Sequence, residues 1–369
     1  MAKLIKLKYG ELFCGPGGMG LGAKKAQVKY GKTIYKIEHK WASDYDSDSC
    51  LTYKHNVFQS KNVINTDVRV LDIKSLGKID IFSYGFPCND FSIVGEQKGI
   101  TGKFGPLYKY GVTILNTYNP KAFIAENVGG LSSANRGKTF IKILKDLQNA
   151  GRGYNLTVHK YKFEEYGVPQ TRHRIIIVGI RKDLKTTFKV PKPTYTQQYV
   201  TAKNALESPP IHFSIPNHDF MKISDKIVER LKYIKPWKNI WNSDMPEHLK
   251  INCNSTRLSH IYRRLDPNKP SYTITGSGGG GTYGYHWQEN RPLTNRERAR
   301  LQTFPDDFVF IGNTSSIRKQ IGMAVPPKIS KILFESVLKT IFQIPYASAH
   351  LNKQYLSNDI NTSQMEMSL

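Results

Sequence analysis

Short apolar runs alternate with longer segments of helical periodicity in the first half of the chain. The apolar runs, each of which predicts a strand, cover residues 6–13, 35–44, 78–87, 120–128 and 172–180. The segments between them that predict helices are residues 18–28, 46–56 and 137–150. This alternation is typical of βαβ units, so we predict a doubly wound, Rossmann-like α/β domain over residues 1–182. Ligands of such a domain are expected at the carboxyl ends of its strands.

The pattern changes after residue 183. Residues 183–285 are rich in proline and polar residues, and they hold 15 Lys or Arg against 8 Asp or Glu. We predict a smaller, irregular and β-rich second domain here, which ends in SYTITGSGGGG. Thr294 with Glu297 predicts a capping box at the start of a helix, and residues 286–344 are expected to complete the first domain. Residues 345–369 are polar and are predicted to be a frayed tail.

Charge and cysteine content narrow the class of protein. The 54 Lys and Arg exceed the 29 Asp and Glu by 25 charges spread over the chain, which favours a polyanionic partner, although a solvated lysine-rich surface would look the same. The four cysteines form no CxxC pair and no zinc-type cluster, so no metal site is expected. Charges interrupt the apolar residues of the first segment, MAKLIKLKYGELF, so we do not expect it to be a signal peptide, and no apolar run reaches the roughly 18 residues of a membrane helix. We expect a cytoplasmic protein in a reducing compartment, without membrane contact.

A glycine-rich turn and three acidic or aromatic positions indicate a nucleoside-containing cofactor. The turn GPGG at 15–18 separates a predicted strand from a helix but lacks the GxGxxG spacing of a nicotinamide site. Asp44 ends the next strand and can accept both ribose hydroxyls, while Tyr45 can stack on adenine. Asp67 follows at a position suited to an adenine amino group. Each acid alone would more often cap a helix, but the three in order favour an adenosine-containing ligand.

Cys88 is the residue with the most chemical interest. It follows a proline at the end of a strand in YGFPCNDFS, and it is either a small buried apolar residue or a nucleophile. Glu126, in ENV, also follows an apolar strand, and QTRHR supplies Arg172 and Arg174 just before another. A thiol, a carboxyl and two guanidiniums beside a nucleoside site favour the nucleophile.

Six motifs in one order resemble the DNA (cytosine-5) methyltransferase family of the prokaryotic restriction-modification type. They are FCGPGG, PCNDFS, ENV, QTRHR, RPLTNRERARLQTFP and GMAVP. The resemblance spans nearly the whole chain except residues 183–285 and the tail. It implies that residues 1–182 with 286–344 form the catalytic domain and that residues 183–285 form the target-recognition domain.

The resemblance implies a covalent mechanism on a cytosine flipped out of duplex DNA. Cys88 would add to carbon 6 of the ring and so activate carbon 5 for methylation. Glu126 would meet N3 and the exocyclic amine. Arg172 and Arg174 would contact the base oxygen and a neighbouring phosphate, and the sequence does not say which arginine makes which contact. Residues 89–108 would form a loop that closes over the flipped nucleotide.

The same resemblance implies S-adenosylmethionine as cofactor, S-adenosylhomocysteine as product, and no metal. The residues expected to bind the cofactor are Phe13, Pro16, Gly17, Gly18, Asp44, Tyr45, Asp67, Val68, Pro87, Leu107, Ala324 and Val325. Two positions depart from the family pattern. Asn89 stands where glutamine is usual after the cysteine, and Met323 replaces an amide in the last motif.

The DNA contacts are the part of the site that the sequence determines least. The expected contact residues are Asn89, Ser92, Gln170, Arg263, Arg264, Thr273, Ile274, Gly278 and Gly279. Thr273 and Ile274 take the place of a Thr-Leu pair whose threonine holds a phosphate beside the flipped base. Arg263 and Arg264 either read guanine in the major groove or contact the backbone. The target sequence does not follow from these residues.

Three other functions compete with DNA methylation. A tRNA-cytosine methyltransferase would use the same cysteine, but the separate basic domain favours DNA. A catalytically inactive DNA-binding subunit is disfavoured by the intact PC and ENV motifs, and a nicotinamide enzyme by the absence of GxGxxG. We expect a nucleoid-associated monomer that acts on double-stranded DNA. A cognate restriction endonuclease acting separately is compatible with the family, although the chain carries no evidence of one.

Overall fold

The computed structural model describes residues 2–86, 107–128, 138–251, 259–276 and 280–349. The chain divides into two compact units. The first comprises Met1–Lys162, His173–Pro193 and Ile329–Leu369, and the second comprises Phe163–Arg172 and Thr194–Lys328. These units are defined by packing alone, so the functional domain bounds at residues 182 and 285 stay predictions.

A mixed sheet forms the centre of the first unit. Its strands are β1 (Lys3–Leu12), β2 (Gln27–Tyr30), β3 (Thr33–Asp44), β4 (Val63–Asn65), β5 (Ile81–Gly85), β6 (Ala122–Val128), β7 (Tyr154–Lys162) and β9 (His173–Arg181). Among the described residues their order is β2-β3-β1-β5-β6-β9-β7, with β4 beside β3. The strands β3, β1, β5 and β6 run parallel, so their carboxyl ends meet at one edge of the sheet. The strand order reverses between β1 and β5, which is where ligands bind in open α/β sheets.

Helices of the first unit follow the parallel strands. They are α1 (Gly18–Lys25), α2 (Ser47–Asn56), α3 (Tyr108–Tyr118), α4 (Lys138–Asn149) and α9 (Pro327–Ile341), whose first two residues belong to the second unit. The apolar face of α4 is buried, as its spacing predicts. Phe82 of β5 and Phe123 of β6 belong to the same fully buried core. The predicted strand-helix order around the carboxyl edge is therefore present.

Three features of the sheet differ from the expectation. The first helix ends at Lys25 rather than near residue 28, because Gln27–Tyr30 pairs antiparallel with β3 through a turn at Gly31, whose φ is 56°. The strand β7, which the sequence pattern did not reveal, forms an edge of the sheet. The strand β9 runs antiparallel to both β6 and β7, so the sheet is mixed rather than wholly parallel.

The second unit has little sheet among its described residues, so the β-rich character predicted for residues 183–285 is not found there. Its strands β8 (Gln170–Thr171) and β10 (Ser271–Tyr272) form a short parallel pair. Its helices are α5 (Ala202–Glu207), α6 (Asp225–Tyr233), α7 (Asn295–Leu301) and α8 (Thr314–Met323). The predicted capping box is present, since Thr294 accepts from the amide of Glu297 and the Glu297 carboxylate accepts from the amide of Thr294.

The first residues of the predicted tail are held in the first unit. The Tyr346 hydroxyl accepts from the Lys189 amide and donates to the Lys189 carbonyl. The Ala349 amide donates to the Val190 carbonyl at 2.9 Å. Frayed structure therefore does not begin at residue 345, and the rest of the predicted tail from residue 350 lies outside the described residues. No helix in the described part of the chain is both long and apolar enough to span a bilayer.

Candidate active site

The turn between β1 and α1 has the backbone geometry that its glycines allow. Phe13, Gly15 and Gly17 all have positive φ, of 53°, 51° and 100°. A Cβ on Gly17 would lie 2.7 Å from Val57, whereas a Cβ on Gly15 would meet no atom within 4 Å. The tight turn therefore packs on α2 at Gly17 and leaves open space in front of Gly15.

Asp44 links the end of β3 to this turn. One carboxylate oxygen accepts the Gly15 amide at 2.8 Å, and the other accepts the Asp46 amide at 3.0 Å. Burial raises the pKa of Asp44, and the two amide donors oppose this shift. Tyr45, the next residue, has 61% of its surface exposed. A carboxylate fixed against a glycine turn and an exposed ring beside it are suited to a ribose and a base.

Asp67 and the neighbouring cofactor candidates lie at the ends of other elements. The Asp67 carboxylate accepts from the Arg69 side chain, with Nε at 2.9 Å, in an exposed ion pair. The same carboxylate accepts the Arg69 amide at 2.9 Å, and water screens this exposed pair. Val68 is buried, as is Leu107 immediately before α3.

Glu126 lies at the carboxyl end of β6, opposite Gly85 of β5. Its Oε1 lies 3.1 Å from Nε of Arg174 in an ion pair, and both side chains are about one-seventh exposed. A Cβ on Gly85 would lie 3.3 Å from the other carboxylate oxygen, so the glycine keeps that side of Glu126 clear. Two predicted catalytic residues are therefore brought together.

Asn127 is a residue of this edge to which the sequence analysis gave no role. Its side-chain amide donates to the Phe86 carbonyl at 3.1 Å and is buried. The end of β5 is thus tied to β6 two residues before Cys88. Cys88 itself lies outside the described residues, with Pro87, Asn89, Ser92 and the expected closing loop, apart from its last two residues.

Gln170, Thr171 and Arg172 bind the TIT segment within the second unit. Arg172 donates to the Ile274 carbonyl at 3.0 Å, and the Thr273 hydroxyl donates to the Thr171 carbonyl at 2.7 Å. The Gln170 side chain accepts the Ile274 amide at 2.7 Å and donates to Gln302. The motifs QTRHR and SYTIT, about 100 residues apart, are therefore joined.

Three of the expected DNA-contact residues are buried within the second unit. Gln170 and Ile274 are buried, and the amide of Gln170 is used within the second unit. Arg264 is 3% exposed, and its guanidinium donates to the carbonyls of His286, Glu289 and Leu231 and to the side chain of Asn290. Both terminal nitrogens of Arg264 and the side-chain amide of Gln170 are thus used within the second unit, whereas Nε of Arg264 is buried without a hydrogen-bond partner among the described residues, so DNA contacts by these residues stay predictions.

Arg263, the neighbour of Arg264, has a different environment. Its guanidinium lies 4.2 Å from the Trp237 ring and 4.9 Å from the Tyr272 ring, and it is only partly buried. Stacking holds the guanidinium without using its N–H donors. Gly278 and Gly279 lie outside the described residues.

Residues of the last motif lie at the end of α8. Ala324 and Val325 are buried, and Gln302 donates to the Ala324 carbonyl at 3.3 Å. Met323, the departure from the family pattern, has 62% of its surface exposed.

Glu11 is a buried carboxyl that the sequence analysis did not single out, although it interrupts an apolar strand. It is 2% exposed and accepts from the Tyr53 hydroxyl at 2.8 Å. Burial raises its pKa to about 8, which the hydroxyls of Tyr53 and Tyr9 oppose and the charge of Asp44 increases. It lies four residues before Gly15, the first residue of the glycine turn, close enough to feel the charge of Asp44.

Glu11→Gln is expected to flatten the dependence of stability on pH. A carboxyl whose pKa rises from 4.5 to about 8 on folding binds more protons in the folded state, so the wild-type free energy of unfolding falls as pH rises through this range. The variant lacks this loss. Relative to the wild type, its free energy of unfolding should therefore rise by about 1–3 kcal/mol between pH 5 and 8. Urea unfolding at several pH values measures this difference in the free energy of unfolding. Parallel plots of that free energy against pH for the wild type and the variant would contradict the prediction.

Comparison with known proteins places this arrangement among nucleic-acid methylases. The family model for C-5 cytosine-specific DNA methylase matches residues 7–339. The type II methyltransferase M.BbvI of Brevibacillus brevis is 55% identical over 98% of both chains. M.NgoFVII of Neisseria gonorrhoeae is 39% identical over 95% of this chain and 91% of its own.

Solved structures share the fold at lower identity. A candidate DNA modification methyltransferase from an Escherichia coli prophage superposes with a TM-score of 0.71 at 22% identity, covering 91% of this chain and 99% of its own. Dnmt2 of Schizosaccharomyces pombe gives a TM-score of 0.54 at 17% identity over 90% and 98% of the two chains. These likenesses confirm the predicted α/β fold class.

Proposed function

Because the chain belongs to the C-5 cytosine-specific DNA methylase family, we propose that it methylates carbon 5 of one cytosine within a specific duplex sequence through a covalent Cys88 adduct. The enzyme is a DNA (cytosine-5-)-methyltransferase of the type II restriction-modification kind. The observation that carries the finer proposal is the pairing of Glu126 with Arg174 at the sheet edge where β5 leads toward Pro87 and Cys88.

Glu126 would act on the ring while Cys88 forms the bond. Addition of the Cys88 thiolate to carbon 6 pushes electron density to N3 and carbon 5, and a carboxyl at N3 stabilises or protonates that developing charge. The Arg174 guanidinium fixes the carboxyl through its ion pair at 3.1 Å, and Gly85 leaves space beside it. After methylation, loss of the carbon 5 proton to a base expels the cysteine and restores the aromatic ring.

The residues around the glycine turn fit S-adenosylmethionine, which supplies the methyl group as an electrophile when it is bound. The space in front of Gly15 admits a ligand, since a Cβ there would meet nothing within 4 Å. Asp44 would accept the ribose hydroxyls, the exposed ring of Tyr45 would cover the adenine, and Asp67 would receive its amino group.

The second unit would position the DNA. Thr273 would hold a phosphate beside the flipped cytosine once its hydroxyl turns away from the Thr171 carbonyl, and Arg172 supports this segment through the Ile274 carbonyl. A cytosine inside a duplex is inaccessible, so it must leave the stack before Cys88 reaches it. We propose that one copy of the chain acts on the DNA, at the nucleoid, and that a cognate endonuclease cleaves the unmethylated sequence.

Methyl transfer to defined nucleic acids tests the proposal. Wild-type protein with labelled S-adenosylmethionine should label duplex DNA, and bisulfite sequencing should place methylcytosine in one short sequence context. Label in tRNA but not in DNA would transfer the assignment to an RNA methylase. DNA binding without label in either would mean that the chain only binds.

Adjacent arginines provide a matched pair of variants for the DNA-facing surface. Arg263→Met should weaken binding to the target duplex by about 1–3 kcal/mol and leave the melting temperature nearly unchanged, because ring contacts hold the guanidinium without using its N–H donors. Arg264→Met should instead lower the melting temperature, since it removes donors from buried carbonyls. Fluorescence anisotropy with target and scrambled duplexes, together with thermal unfolding, separates the two effects. Equal loss of affinity in both stable variants would contradict the assignment.

A further inference from the structure

A small cavity in the second unit is bordered by two buried arginines, neither of which has a role in the proposed reaction. Arg298 of α7 and Arg318 of α8 are 4% and 8% exposed. The cavity, of about 10 Å³, is near the smallest volume that holds one water molecule. Its other lining includes Asp219, Tyr283 and Thr314.

Neither guanidinium is satisfied by the residues that the structure describes. Nη2 of Arg298 is buried and has no hydrogen-bond partner among them, and the same holds for Nε of Arg318. Arg318 does donate from Nη2 to the Ser315 hydroxyl at 3.3 Å, and its guanidinium lies 4.7 Å from the Tyr283 ring. Burial lowers the pKa of Arg298 to about 10, which leaves it a cation at neutral pH.

The nearby carboxylates do not neutralise these charges. Glu297 accepts from both terminal nitrogens of Arg291, at 2.9 and 2.8 Å, and from the Thr294 amide at 2.7 Å. Asp219 lines the cavity, but within the described ranges it forms no ion pair with Arg298 or Arg318. Two like charges are therefore buried beside the same cavity, an arrangement that is unfavourable unless a counter-charge is present.

We propose that this cavity is a site for one compact anion, which Arg298 and Arg318 hold between them. The ligand is a negatively charged acceptor about the size of a water molecule, because the cavity excludes a whole phosphate group. Chloride meets this description, and so does a single oxygen of a DNA backbone phosphate placed at the mouth. The assignment of the site to a DNA phosphate oxygen rests on the proposed function, whereas its assignment to chloride does not.

Thermal unfolding of the full chain without DNA tests the site. We expect the wild type to melt about 2 °C or more higher in sodium chloride than in sodium gluconate of equal ionic strength, since gluconate is too large to enter. Arg298→Met should lose this difference and should melt above the wild type in gluconate, because an unpaired buried charge has been removed. Lys319→Met, on the same helix as Arg318, should keep the chloride effect.

The salt dependence of DNA binding distinguishes a DNA phosphate oxygen from chloride. In gluconate, the slope of log Kd for duplex DNA against log salt should be smaller by about 0.9 in Arg298→Met if a backbone phosphate enters the cavity. An unchanged slope with the chloride effect intact assigns the site to chloride. Should Arg298→Met not fold, Arg318→Met must show the same losses. The proposal would be overturned if the wild type melted at the same temperature in the two salts and neither variant changed the slope. The cavity would then hold a buried water molecule and no anion.

Discussion

Cys88→Ser is expected to abolish methyl transfer, by at least about 10⁴-fold, because a hydroxyl at neutral pH is a far weaker nucleophile than a thiolate toward carbon 6. Cofactor and DNA binding should persist, since the change is one atom. Single-turnover transfer from labelled S-adenosylmethionine, with binding of both ligands measured separately, gives the comparison. Cys253→Ser, outside all six motifs, should retain activity and serves as the matched control.

A second readout tests the covalent bond itself. Duplex DNA with 5-fluorocytosine at the target should form a protein-DNA adduct that survives denaturation, because carbon 5 then carries fluorine where a proton has to leave. Cys88→Ser should form none. Normal turnover by this variant, or an adduct that maps to another residue, would remove Cys88 from the mechanism.

Glu126→Gln is expected to lower the rate of methyl transfer by about 10²–10⁴-fold with little change in melting temperature. The amide keeps the shape of the side chain but carries no negative charge and no acidic proton to transfer to N3, and it loses the ion pair with Arg174. Rapid-quench measurement of the chemical step, beside binding of the cofactor, isolates this effect from ground-state binding.

Asp80→Asn is the matched control for Glu126. The Asp80 carboxylate pairs with Lys121 at 3.1 Å, at the opposite end of β5 and β6 from Glu126. Its loss removes a carboxylate-cation pair from the same strands without approaching the proposed chemistry. If both variants lost activity in step with their stability, Glu126 would have a structural role only.

Local patterns predicted the part of the fold where each element carries its own signal. The strands β1, β3, β5 and β6 are apolar runs that end in a glycine turn, an acid or a proline, and the parallel order brings those ends to one edge. The strand β7 was missed because polar residues such as His159 and Lys160 interrupt its apolar residues. Its place is set by pairing with β9, which no local pattern encodes.

The sequence by itself determined the family of this protein and the order of its motifs, because residue types such as Cys88 and Glu126 and their neighbours are read directly along the chain. Only the tertiary structure decided what each charged side chain does. Arg263 and Arg264 are adjacent and chemically identical, yet one stacks between rings and the other binds buried carbonyls. Glu126 likewise gains Arg174 through strand pairing, since partners distant in sequence decide whether a charge is exposed, satisfied or left unpaired.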